Sequence, residues 1–127
     1  MDKEFAEEIE REFADFKDKA FAIILFGSFA RGEQTEKSDI DICIVAKEKG
    51  KIKEIWNKIL ESGLTEKYDI KIFELLPLKL KIEVIKEGKV IFCKNKKELT
   101  YYFWKFRKLW KDEILQKKKL GLEIYKL

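Results

Sequence analysis

The sequence predicts an α/β (α+β) domain around a small mixed sheet, on three observations. Four short apolar runs, 21–26, 40–46, 68–74 and 89–93, have the length and the bounding residues of strands. The stretches beside and between them repeat their apolar residues at helical spacing, giving the order αβαβαβαβα. Finally, the polar residues ending the first run can meet those opening the second only across an antiparallel pair, so the sheet is not wholly parallel.

Residues 3–19 read as an amphipathic helix, with Phe5, Ile9, Phe13 and Phe16 on one side. FAIILF (21–26) is a buried strand closed by Gly27. A short helix starts at 28–34, and Gly32 with EQTEKS makes the loop after it. IDICIVA (40–46) is the second strand. Residues 51–62 form a helix with Ile52, Ile55, Trp56 and Ile59 inward, ended by Gly63. YDIKIFE (68–74) alternates as a third strand. Pro77 suits the first turn of the next helix, Gly88 stops it, and KVIFC (89–93) is the fourth strand.

The last helix, 97–119, is aromatic-rich. Phe103, Phe106 and Trp110 share a stripe that suits core docking. Tyr101, Tyr102, Trp104 and Leu109 fall around it, more than one stripe can bury. Such a surplus suits a protein interface, and its mixture with Lys and Arg suits RNA; the sequence leaves both open. The chain is read as one domain, 1–127, with 97–127 as a C-terminal helical extension.

Composition narrows the function. A 46% hydrophobic and 13% aromatic chain is not a disordered one. No apolar run approaches the roughly 18–20 residues of a membrane span, and the acidic N-terminus is no secretory leader, so a cytoplasmic protein is expected. Cys43 and Cys93 lie in apolar runs without metal-ligand spacing and read as buried, reduced thiols. There is no histidine. Any chemistry must rest on carboxylates, hydroxyls, Lys, Arg and metal ions. Charged residues reach 41%, a thermophile-like balance rich in Lys and Glu. Residues 1–19 carry eight acids and four bases, whereas 94–119 carry ten bases and three acids. That basic tail suits an acidic partner or a phosphate chain, and equally a solvated helix face.

The chemistry gathers in ILFGSFARGEQTEKSDIDICIVA, residues 24–46. Asp39 and Asp41 stand at i and i+2, so their side chains leave one face of a strand, about 6.5–7 Å apart at the backbone. Two carboxylates at that spacing can share Mg²⁺, which takes oxygen ligands and keeps sites for substrate phosphates. Asp69, near the start of the third strand, could join them. Three neighbouring carboxylates repel one another, and two metal ions about 4 Å apart would neutralise them. Gly27 lets the backbone approach a phosphate, to which Ser28 can donate and Arg31 can add charge. Ser38 reads as a loop cap. Glu74, five residues from Asp69, would face the opposite side of the strand, so only one of the two can join the site. Each piece alone is common, since a Gly-Ser after a strand is usually a turn. Their joint order is not.

That joint pattern, Gly27-Ser28 with Ala30-Arg31-Gly32 and then Ser38-Asp39-Ile40-Asp41, resembles the minimal nucleotidyltransferases of the DNA polymerase β superfamily. The resemblance covers 21 to 93, including IEVIKEGKVIF. It implies the polymerase-β-like fold, with Asp39, Asp41 and Asp69 as catalytic, metal-binding acids and Gly27, Ser28 and Arg31 at the nucleotide. It implies AMP transfer from ATP, with two Mg²⁺ ions, to a hydroxyl of a partner. That partner would be a HEPN-type toxin protein, with this chain as its antitoxin. Two alternatives stand beside it: an antitoxin acting by binding alone, and a small-molecule transferase of the aminoglycoside-modifying kind. The absence of a second, acceptor-binding domain speaks against the latter.

Overall fold

A computed structural model describes residues 2–121. The elements are α1 (Lys3–Glu12), β1 (Ala22–Phe26), α2 (Gly27–Arg31), β2 (Ile40–Val45), α3 (Lys49–Ser62), β3 (Tyr68–Ile72), α4 (Leu78–Glu87), β4 (Lys89–Cys93) and α5 (Lys96–Lys119). The strands form one sheet in the order β3-β2-β1-β4. β1 pairs antiparallel with both β2 and β4, while β2 and β3 run parallel. The sheet is therefore mixed, and the pairing of β1 with β2 is the antiparallel one the sequence required.

Strand alternation sends residues to two apolar layers. Ile23, Leu25, Ile42, Ile44 and Ile72 face a core with Ile9, Phe13, Phe16, Ile55 and Ile59, contributed from α1, the turn after it and α3. Ala22, Ile24, Cys43 and Val45 face the other, with Phe73, the α4 residues Ile82, Val84 and Ile85, and Leu99 of α5. Cys43 is fully buried, and burial pushes its thiol far above its ordinary value, so it is an inert packing group. Both cysteines are free. Among the described residues no helix is long and apolar enough to cross a membrane.

Three expectations change. The first helix ends at Glu12 rather than 19, and a 3-10 turn follows at Ala14–Phe16. That tighter turn brings Phe13 and Phe16 together with ring centroids 5.5 Å apart, both buried. Trp56 is exposed rather than core, because α3 turns Ile55 and Ile59 inward and leaves Trp56 on its shoulder. β3 stops at Ile72, and Glu74 lies in the 3-10 turn Phe73–Leu75. Strand alternation therefore does not govern Glu74.

α5 is two-faced. Its inner side carries Leu99, Tyr102, Phe103, Phe106 and Trp110 into the second core, three of whose rings pack on Phe73. Its outer side exposes Tyr101, Trp104, Leu109 and Leu115.

Candidate active site

The site forms where the second apolar layer runs out. Going outward along that face, the row Ile24, Cys43, Lys71 is followed by the row Phe26, Asp41, Asp69, as the strand registers dictate. Asp41 and Asp69 are direct neighbours on parallel strands. Asp39, one residue before β2 and two before Asp41, is exposed at the rim.

Gly27 closes the other side. Its φ of 72° turns the chain sharply from β1 into α2, and its bare Cα lies against the Asp41 side chain. A β-carbon there would overlap Asp41 Oδ2. The glycine is thus needed twice, for its left-handed backbone and for the room it leaves the carboxylate. Ser28 follows in the first turn of α2; its carbonyl accepts from Glu33 N at 2.9 Å, and its hydroxyl makes no hydrogen bond among the described residues. Ser38 caps the intervening loop, its hydroxyl accepting from Thr35 N at 2.8 Å.

Electrostatics mark Asp41 as strained. Burial, then the charge and shared hydrogen bond of Asp69, then the charge of Asp39, push its carboxyl above the ordinary value, and Lys71 pulls the other way. Among the described residues no N–H donates to the Asp41 carboxylate. Such a pair is poorly satisfied by protein alone and welcomes a cation.

Not every expected residue converges. No group of three acids, cysteines or histidines among the described residues is gathered as a ready metal cage. The pair Asp41–Asp69 still fits Mg²⁺, which is held by one or two carboxylates together with substrate phosphates rather than by a complete protein cage. Arg31 is engaged elsewhere: its guanidinium pairs with Glu87 at 2.8 Å and Glu33 at 3.1 Å, tying α2 to the end of α4. Glu74 accepts from Ala46 N at 2.9 Å, Lys47 N at 3.0 Å and the Tyr102 hydroxyl at 2.8 Å. It joins the far end of β2 to α5, away from the aspartates. One residue was overlooked in the sequence. Lys71 sits two positions after Asp69 on the same face, and the signal was the alternation in YDIKI, which pairs Asp69 with Lys71. A cleft of about 270 Å³, lined by Asp39, Thr65, Lys67, Asp69 and Ile70 among others, opens beside the acids along the free edge of β3.

A mixed sheet with paired aspartates facing a Gly-Ser turn points to the nucleotidyltransferase class of the polymerase β type. The family model described as "Polymerase beta, Nucleotidyltransferase" matches residues 7–97, and the chain belongs to that family. A Methanocaldococcus jannaschii protein provisionally named protein adenylyltransferase is 51% identical over 94 residues, covering 74% of this chain and 72% of its own. A second protein of that organism, with the same provisional name, is 41% identical over 75 residues, covering 58% of this chain and 73% of its own. Among solved structures, a toxin–antitoxin with AMP-PNP superposes with a TM-score of 0.68 at 23% identity, covering 91% of this chain and 94% of that one. A complex of a tri-AMPylated Shewanella oneidensis HEPN toxin with an MNT antitoxin gives 0.61 at 20% identity, covering 91% of each. At these identities the likeness to solved structures is one of fold.

Proposed function

We propose that this nucleotidyltransferase moves AMP from ATP to a hydroxyl of a partner protein, a HEPN-type toxin whose antitoxin it is. The observation that carries the reading is the Asp41–Asp69 pair on adjoining strands, with the Asp41 carboxylate packed against the Gly27 turn and receiving no N–H among the described residues. The provisional name of the relatives and the AMPylated toxin in one structural neighbour support the choice of AMP and of a protein acceptor. An ATP donor suits a cytoplasmic setting.

Asp41 and Asp69, with Asp39 at the rim, would hold two Mg²⁺ ions brought with the nucleotide. Those ions supply charge neutralisation at the phosphates. Gly27 and Ser28 line the triphosphate side, the glycine by close backbone approach and the serine by its unengaged hydroxyl. Arg31 reaches a phosphate only if it leaves Glu87 and Glu33. Asp69, on the edge strand beside the cleft, takes the proton of the acceptor hydroxyl. The acceptor oxygen then bonds to the α-phosphorus, the bond from that phosphorus to the α–β bridging oxygen breaks, and pyrophosphate leaves. Positioning and charge carry most of such a rate enhancement.

The outer side of α5 is the docking face for the partner. Tyr101 and Trp104 stack with centroids 6.2 Å apart, and Lys105 and Lys108 lie over their rings. Paired exposed aromatics on a basic helix suit an acidic protein surface, and RNA is the less favoured occupant.

The test uses ATP labelled at the α-phosphate, Mg²⁺, the native chain and a HEPN-type protein from the same source. Label is expected on the partner, and label placed at the γ-phosphate is expected to leave as pyrophosphate. A kinase gives the reverse pattern. Absence of label in both experiments means that the chain acts by binding alone.

A further inference from the structure

Lys71 interrupts an otherwise apolar row. Its neighbours across the sheet, Cys43 and Ile24, are fully buried, and the residue after the strand on the same face is the buried Phe73. A β-branched or aliphatic side chain would continue that layer. Instead its ammonium reaches toward the next row, with Nζ 3.5 Å from Asp69 Oδ1. Both side chains are about half exposed, at 50% and 43%, so the pair faces solvent rather than closing a core. A half-exposed pair at this distance adds little to stability. Its position, one row behind the paired aspartates, is therefore the informative feature.

We infer that Lys71 is a nucleotide-binding residue: it is the counter-charge of Asp69 in the nucleotide-free protein and contacts a phosphate oxygen of bound ATP. The inference rests on the nucleotidyltransferase reading above. Two kinds of cation compete for Asp69. With a divalent metal held at Asp69, the Lys71 ammonium would be released from that carboxylate. The flexible four-carbon stem then carries a compact point charge to the phosphates that came with that metal. Lys71 thus opposes metal binding in the absence of nucleotide and favours the nucleotide in its presence.

That dual action separates the inference from a purely structural ion pair. Native protein, Lys71→Met and Lys71→Arg are titrated with Mn²⁺ alone and with ATP in saturating Mn²⁺. Lys71→Met is expected to bind Mn²⁺ alone severalfold more tightly and ATP about tenfold more weakly, the scale of one charge-assisted hydrogen bond. Lys71→Arg is expected to recover most of the ATP affinity, and melting of the nucleotide-free protein is expected to shift little in either variant. ATP binding by Lys71→Met equal to native overturns the inference while leaving the transferase reading intact. Changes of the same sign in both titrations also overturn it. Absence of ATP binding by the native chain overturns the transferase reading, and this inference with it.

Discussion

Opposite ends of β2 hold carboxylates in contrasting situations. At the C-terminal end, Glu74 accepts from two backbone amides and the Tyr102 hydroxyl, all within 3.0 Å. At the N-terminal end, Asp41 meets another carboxylate, Asp69, and receives no N–H among the described residues. The sheet supplies both with similar half-buried surroundings. A carboxylate whose acceptor sites are filled by the chain holds structure together. One left facing its own kind stores a deficit of positive charge, which a substrate with its cations can fill. The identity of the residue does not separate the two roles; the supply of donors does.

The contrast is most easily broken at Asp41. Replacing it by Asn should lower AMP transfer by about 10³-fold, on the scale of losing a preorganised electrostatic group. The same change should leave the melting point of the metal-free protein unchanged or raised, because a repulsion is removed. A large loss of stability would place Asp41 with Glu74 among the structural acids.

Glu74→Ala should do the opposite. It strands two amides and a tyrosine hydroxyl, costing about 2–3 kcal/mol in urea unfolding, while ATP affinity measured on the folded protein stays as in native. Loss of ATP affinity without loss of stability would move Glu74 into the active site.

α5 offers a milder version of the same comparison. Truncating it is no clean test of docking, since its inner face contributes Leu99, Phe103 and Phe106 to the core. Trp104→Ala, on the outer face, should weaken partner binding by about tenfold with melting unchanged. Binding that instead falls steeply between low and moderate salt, with single-stranded RNA as the probe, would favour RNA as the occupant.

The smallest effect is a pair of opposite pH slopes, read in chelator. Asp41 has its carboxyl raised above its ordinary 3.8, by burial and by Asp69. The native state then holds that proton more tightly than the unfolded one. Its contribution to stability is full below about 3.8 and is lost as pH rises through the folded value. Glu12 is shifted the other way: burial alone would raise it, but hydrogen bonds from Lys67 and Tyr68 outweigh burial and lower it from 4.5. Its contribution is present above 4.5 and is lost as pH falls through the folded value. Asp41→Asn should remove the first slope, and Glu12→Gln the second.

The chain order of elements was legible in the sequence because each depends on local periodicity and on a few punctuating residues. FAIILF and IDICIVA have strand length, Gly63 and Gly88 stop helices, and the spacing of Asp39-x-Asp41 after the Gly-Ser turn puts two carboxylates on one side of β2. The antiparallel pairing of β1 and β2 followed from asking what those residues need. Tertiary structure decided what periodicity cannot reach. Glu74 closes YDIKIFE, whose alternation holds only through Ile72; the strand ends there, and Phe73 turns under three rings of α5. Arg31 sits in the motif expected to meet phosphate, yet Glu87, 56 residues away, holds it. Trp56 has helical spacing with Ile52 and Ile59, but how far a helix rolls against its sheet is set by its neighbours, and that roll left Trp56 outside. Local sequence determines which groups share a face; which donors reach a carboxylate there is decided by residues distant in sequence, and so only by the fold.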